Sequence, residues 1–174
     1  MGVAYNEMTV MYRAHYVTRT IEEVLLRSKI PYTIYSGVQF FGRMEIKDAL
    51  CYLRMIVYKD DLSFRRIANV PKRNLGVRRM KFLEEYTEQH GGTLYDALVK
   101  NLEHEIFRGT KAREFVELIE KYASSYAERT ISEVLTSILH ESGYEKLLRT
   151  EGAQDRLDNL AGLKQAVFSF ETSA

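Results

Sequence analysis

One cysteine stands among the 174 residues, so no internal disulfide can form. Cys51 lies between Leu50 and Tyr52 in an apolar helical stretch and is expected to pack in a core rather than to react. Four scattered histidines and that one thiol give no metal-ligand spacing. No run of about 18 apolar residues exists, so no membrane-spanning helix is expected. The opening MGVAYNEMTV lacks a basic segment followed by an apolar one, so secretion is not expected and the cytoplasm is the expected compartment. The phosphate-cradling pattern G-x-x-x-x-G-K-[ST] is missing, as are G-x-G-x-x-G and H-E-x-x-H. Asp60-Asp61 and Glu84-Glu85 are adjacent pairs, which a helix splays apart; they read as solvated surface rather than as the facing carboxylates of a hydrolase. Ser28, Ser36 and Ser142 have no suggestively placed His and Asp, although a triad is a spatial rather than a sequential pattern. A small autonomous hydrolase is therefore the weaker reading of the isolated chain.

What is present is a concentration of positive charge. The chain carries a net charge of only +1, yet FRRIANVPKRNLGVRRMK, from Phe64 to Lys81, holds seven Lys or Arg and no acid. Pro71 and Gly76 bracket a short loop there, and a helical pattern resumes behind it. A basic loop feeding a helix N-terminus suits a phosphate backbone, because side-chain cations, free backbone N–H groups and the positive helix end act together. A solvated charged face, or a surface for an acidic protein, has the same composition.

The two ends of the chain differ in texture. Met8–Tyr12 is a strand candidate, residues 17–28 are a helix with Ile21, Val24, Leu25 and Leu26 on one face and Glu22 and Glu23 off it, and Tyr32–Tyr35 is a second strand after Pro31. This predicts a parallel, right-handed βαβ unit. Two parallel strands do not make a stable sheet alone, so the unit reads as a fragment of a larger one. From Met44 onward the periodicity is helical: residues 44–58, 62–68, 76–90, 111–127 and 154–170, with a further helix capped by Thr130 and Glu133. Gly91-Gly92 and Gly143 are expected stops, and Thr93 with Asp96 an expected capping box. The expected fold is mainly α, an irregular helical bundle preceded by the partial βαβ unit.

Specific motifs run through both parts. TVMYRAHYVTRTIEEVLL resembles the AVLYRTNAQSR-x-x-EE-x-L segment of the UvrD/PcrA/Rep group of superfamily 1 DNA helicases. IPYTIYSGVQFFGRMEIKDALCYLRMI is similar to that group's IPY-x-I-x-GG-x-x-FF-x-R-x-EIKD-x-LAYLR. RRIANVPKRNLG stands where the group has RI-x-N-x-P-x-RGIG, and SGYEKLL and RLDNLAGL resemble two later landmarks. The resemblance covers nearly the whole chain in order. It implies the end of the RecA-like motor domain 2A over residues 1–46 and a helical 2B domain, incomplete at its C-terminus, over residues 47–174. It also implies a parent that hydrolyses ATP with Mg and moves 3′ to 5′ on DNA. The Walker motifs and motif VI would lie outside this chain on 1A and 2A, so the fragment itself is expected to hold no cofactor and to be inactive. Expected partners are duplex and single-stranded DNA at a junction and the remaining 1A, 1B and 2A domains, with no membrane. The alternative is a protein-interaction or structural module of a helicase–nuclease complex.

The resemblance also implies site residues. Tyr12, Arg13, His15, Arg19, Phe41 and Arg43 match positions near single-stranded DNA. Tyr12 reads more readily as sheet core, the second ring of Phe40-Phe41 as a domain-interface or base-stacking group, and Arg43 equally as a DNA contact or a bridge to a carboxylate. Glu45 reads as a helix N-terminal carboxylate at the 2A–2B junction. Lys72, Arg73, Asn74, Leu75 and Gly76 match the duplex-gripping GIG loop, with Arg78 and Arg79 extending it. Asn74 replaces a glycine, and Asn tolerates left-handed backbone angles better than most residues.

Overall fold

A computed structural model describes residues 3–12, 17–34 and 40–172. Among these the regular structure is helical, in nine α-helices: α1 (Thr18–Arg27), α2 (Met44–Val57), α3 (Asp61–Ile67), α4 (Val77–His90), α5 (Leu94–Lys100), α6 (Ala112–Ala123), α7 (Ile131–Glu141), α8 (Tyr144–Thr150) and α9 (Gln154–Thr172). Short 3-10 turns sit at Tyr5–Glu7, Phe40–Gly42, Glu105–Phe107 and Tyr126–Glu128.

The βαβ expectation is overturned: no described residue is in a β-strand. The stretch 8–12 is neither helix nor strand, with Met8, Val10 and Met11 at 53%, 63% and 91% exposure. A strand exists only through a ladder to a neighbour, and no described segment supplies one. The helix between the two strand candidates does form. Its inward residue, however, includes Glu22, which was expected off the apolar face, while Val24 and Leu26 lie more than half out or close to it. The buried Glu22 carboxylate accepts from Tyr32 Oη at 3.0 Å and from the Phe40 backbone N–H at 3.2 Å. Burial and that carboxylate push the Tyr32 phenol up to about 12, so it stays a donor. Glu22 thus ties α1 to the Phe40–Gly42 turn ahead of α2.

Helix α2 is the axis of the bundle, packing against α3, α6, α7 and α9. Ile46, Ala49, Tyr52, Met55 and Ile56 recur at helical spacing and are buried, as is Cys51, whereas Val57 is half exposed. The core closes with Phe64 and Ile67 of α3, Leu83 of α4, Phe115, Ile119 and Tyr122 of α6, Leu135 and Ile138 of α7, and Leu160 and Leu163 of α9. Each such side chain contributes roughly 1.5–3 kcal/mol by leaving water.

The stops and starts follow local chemistry. Thr93 with Asp96 and Thr130 with Glu133 form capping boxes, Gly91 ends α4 at φ 70°, and Gly143 follows α7 at φ 78°. Lys59, at φ 50°, turns α2 directly into α3. Asp60 and Asp61 are therefore not merely solvated. Asp60 caps α3, accepting from Ser63 N at 3.0 Å, and Asp61 accepts from Leu94 N at 2.8 Å, so it starts α5. Burial alone would raise the Asp60 carboxyl, but the hydrogen bonds from Ser63 and the Arg54 guanidinium outweigh it and hold it below its ordinary value. We expect Asp60→Ala to cost about 1 kcal/mol at neutral pH. Because the folded carboxyl is depressed, that stabilisation is complete above about pH 4 and fades as pH falls through the lower folded value. Urea melts of both proteins down the pH scale should show the gap closing; a gap independent of pH would mean the carboxylate is not the capping group.

Candidate nucleic-acid interface

The loop between α3 and α4 carries the basic run, and its shape is set by three inward side chains. Asn69 Oδ1 accepts from the backbone N–H of Arg73 at 2.9 Å and of Leu75 at 3.0 Å, pinning the loop from below. Leu75 is a buried apolar anchor at 2% exposure. Asn74 is left-handed at φ 59°, as its residue type allows, so the turn survives without a glycine there. Gly76 is extended at φ −78°, ψ −170°, and stands at the N-cap of α4. Nothing lies within 4 Å of the place a Cβ would occupy at Gly76, so the fold itself does not require glycine.

The third inward side chain is Arg73, read in the sequence as a phosphate contact. It is only 6% exposed. Its Nη1 donates to the carbonyls of Ile67 (2.9 Å), Ala68 (3.2 Å) and Pro71 (3.3 Å), and its Nη2 donates to Tyr52 Oη (2.9 Å) and to the Ser142 carbonyl (3.3 Å). The guanidinium carbon sits 4.8 Å from the Phe115 ring centroid. Arg73 therefore closes the carbonyl end of α3, where a cation is favoured, and joins it to α2, α6 and the end of α7. Tyr52 completes the arrangement by donating to the Val70 carbonyl at 2.8 Å. Burial pushes its phenol up against the pull of Arg73, which keeps that proton in place.

The remaining cations of the run divide sharply. Arg65 pairs with Glu84, and Arg66 Nε donates to Asp48 at 2.6 Å. Arg79 Nε donates to the Ile106 carbonyl at 2.7 Å, and Lys81 lies 3.7 Å from Glu85. Lys72 and Arg78 are exposed, and their side chains make no hydrogen bond or ion pair among the described residues. The outward face of the loop is thus Lys72, Asn74, Gly76, Val77 (88% exposed) and Arg78.

The other candidate residues fall nearer the N-terminus. Arg13 and His15 lie outside the described residues. Tyr12 is partly exposed. Of the two adjacent rings, Phe40 is buried and Phe41 is 38% exposed, set edge-on to it at 5.2 Å. Arg43 donates to Asn159 Oδ1, and Asn159 Nδ2 donates to Glu45 Oε1 at 2.6 Å, so Arg43 reaches a carboxylate through an amide relay. Arg19 pairs with Glu23 at 3.4 Å and lies against Gly162 of α9, where a Cβ would fall 2.4 Å from its Nη1. Sequence reading did not single out Asn69, Glu22 or Asn159. Asn69, two residues ahead of Pro71 and four ahead of Arg73, is the one local signal that could have revealed a loop-organising side chain.

Among the described residues, no group of His, Cys, Asp and Glu could hold a metal ion, and no helix is long and apolar enough to cross a membrane. The molecule is a helical domain that presents a braced basic loop at the start of a helix. The chain belongs to the UvrD-like helicase C-terminal domain family, whose match runs over residues 1–173. It is similar to the ATP-dependent DNA helicase PcrA of Staphylococcus epidermidis, 35% identical over 167 residues that cover 91% of this chain and 23% of that helicase. The ATP-dependent DNA helicase PcrA of Staphylococcus aureus is 34% identical over the same shares of the two chains. The chain therefore spans about a quarter of the length of these relatives.

Proposed function

We propose that this chain is the part of an ATP-dependent 3′–5′ DNA helicase in which a 2B-like helical module contacts duplex DNA at the junction, joined to an edge of motor domain 2A. The boundary falls in the first turn of α2, near residue 46. The single observation that carries this reading is the loop after α3: its outward face offers the side chains of Lys72 and Arg78 without partners among the described residues, while Asn69, Arg73 and Leu75 hold it from inside. A loop so held meets phosphates without first being ordered, which lowers the entropic cost of binding. Lys72 and Arg78 supply charge, Asn74 a polar contact, and Gly76 an open backbone approach. Arg73, Leu75 and Arg79 act by shaping the loop. On the single-stranded side, Tyr12, Arg13, His15 and Phe41 are the contact residues, and Arg19 and Arg43 brace that edge. ATP and Mg belong to parts of the protein beyond this chain, and the 1A, 1B and remaining 2A domains are its partners there.

Binding to a fluorescent DNA hairpin with a single-stranded tail, measured from 50 to 200 mM salt, tests this. Affinity should fall steeply as counterions are released. Lys72→Gln with Arg78→Gln should weaken binding to all sequences alike and reduce the salt slope by up to about 2, with the melting temperature unchanged. Equal affinity and slope for the wild type and this variant would sink the proposal.

A further inference from the structure

The loop between the Glu105–Phe107 turn and α6, Phe107–Lys111, has no counterpart in the basic run, yet it lies beside that run in the fold. The Lys111 backbone N–H donates to the Arg73 carbonyl at 3.0 Å, and Asn74 Nδ2 donates to the Gly109 carbonyl at 3.4 Å. The Arg79 guanidinium reaches the Ile106 carbonyl from the first turn of α4. These contacts join the two loops edge to edge and fix their mutual position. Arg108 and Lys111 are both exposed. The Arg108 side chain makes no hydrogen bond or ion pair among the described residues, and the Lys111 ammonium has only a 3.8 Å approach to the exposed Glu114. Of the other charges on this segment, Arg113 is paired with Glu103, and Glu105 is exposed. The combined face therefore gathers Lys72, Arg78, Arg108 and Lys111 against Glu105 and Glu114. It presents twice as many exposed cations as the Lys72–Arg78 loop alone, although the two loops are more than 30 residues apart in sequence.

Building on the duplex-contacting reading of the first loop, we propose that Arg108 and Lys111 form a second phosphate-contacting edge. The duplex is then gripped across two adjoining loops rather than by the Lys72–Arg78 loop alone. Cations on two loops joined by hydrogen bonds can neutralise more than one stretch of phosphates, and each phosphate so neutralised adds its own salt dependence.

The test uses this chain, the tailed hairpin and three double variants: Lys72→Gln with Arg78→Gln, Arg108→Gln with Lys111→Gln, and Lys47→Gln with Lys100→Gln. The last carries the same change in net charge outside both loops. We expect the Arg108/Lys111 variant to melt like the wild type. It should bind on the order of tenfold more weakly near 0.1 M salt, and its salt slope should be smaller by up to about 2. The Lys47/Lys100 variant should keep the wild-type slope. If Arg108/Lys111 behaves like the Lys47/Lys100 control while Lys72/Arg78 loses affinity, the second edge is refuted and the single-loop reading stands. If neither loop variant differs from the control, both readings fall together.

Discussion

Arg73→Ala should lower the free energy of unfolding by about 3–5 kcal/mol, more than any substitution on the outward face of the loop. The guanidinium is 6% exposed and satisfies carbonyls of Ile67, Ala68, Pro71 and Ser142 and the Tyr52 hydroxyl. Truncation removes this donor from all five acceptors, of which the Ile67 carbonyl keeps the Val70 N–H, and opens a void against Phe115. Each buried polar group left unsatisfied costs about 1–3 kcal/mol, less wherever water can enter. For a chain of this size the melting temperature should drop by roughly 6–20 °C. Arg73→Lys should recover only part of the loss, because one ammonium cannot span acceptors on several sides as a planar fork does. Urea denaturation of the three proteins decides this: a cost below about 1 kcal/mol for Arg73→Ala would mean the guanidinium is not the internal brace. Arg73→Ala should also weaken DNA binding, but by distorting the loop. Lys72→Gln with Arg78→Gln should lose binding with no loss of stability. Comparing the two separates the brace from the contact.

The second large effect is expected at Asp48. This carboxylate is 5% exposed, accepts from Arg66 Nε at 2.6 Å and from Tyr144 Oη at 2.6 Å, and so locks α2 to α3 and α8. Burial and the Asp48 carboxylate it donates to push the Tyr144 phenol far up, which keeps it the donor of this bond. Asp48→Ala removes the acceptor common to both groups and should cost about 3 kcal/mol, the lower part of the range for a broken buried pair, because Arg66 is partly exposed. Tyr144→Phe keeps the ion pair and should cost only about 1 kcal/mol. In the double variant the two costs should fail to add by about 1 kcal/mol, since the Tyr144 hydroxyl has already lost its partner. Strict additivity in a urea-denaturation cycle would show that the two residues act independently.

The Asp48 contact lies within EIKDALCYLR, and it shows how sequence and structure divided the information. Helix starts and stops were legible because they depend on neighbours three or four residues away: Thr93 with Asp96, Thr130 with Glu133, Gly91 and Gly143 all act where the sequence places them. The left-handed turn at Asn74 and the inward Phe40 beside an outward Phe41 follow from residue type and alternation, which are equally local. The paired strands near the N-terminus were not determined by the sequence of residues 8–12, because a strand needs a neighbour to bond to and no described segment supplies one. Only the tertiary structure decided which cations of the basic run face inward. Arg73 and Lys72 are adjacent and chemically alike in sequence, but one meets carbonyls from α3 and α7 and the other meets none. The same holds for Arg108 and Lys111, whose loop is brought to that face by hydrogen bonds across more than 30 residues, one from the Lys111 backbone and one from the Asn74 side chain. Where a side chain points out of a loop is set by acceptors contributed by distant helices, and the sequence fixes those distances only through the complete fold.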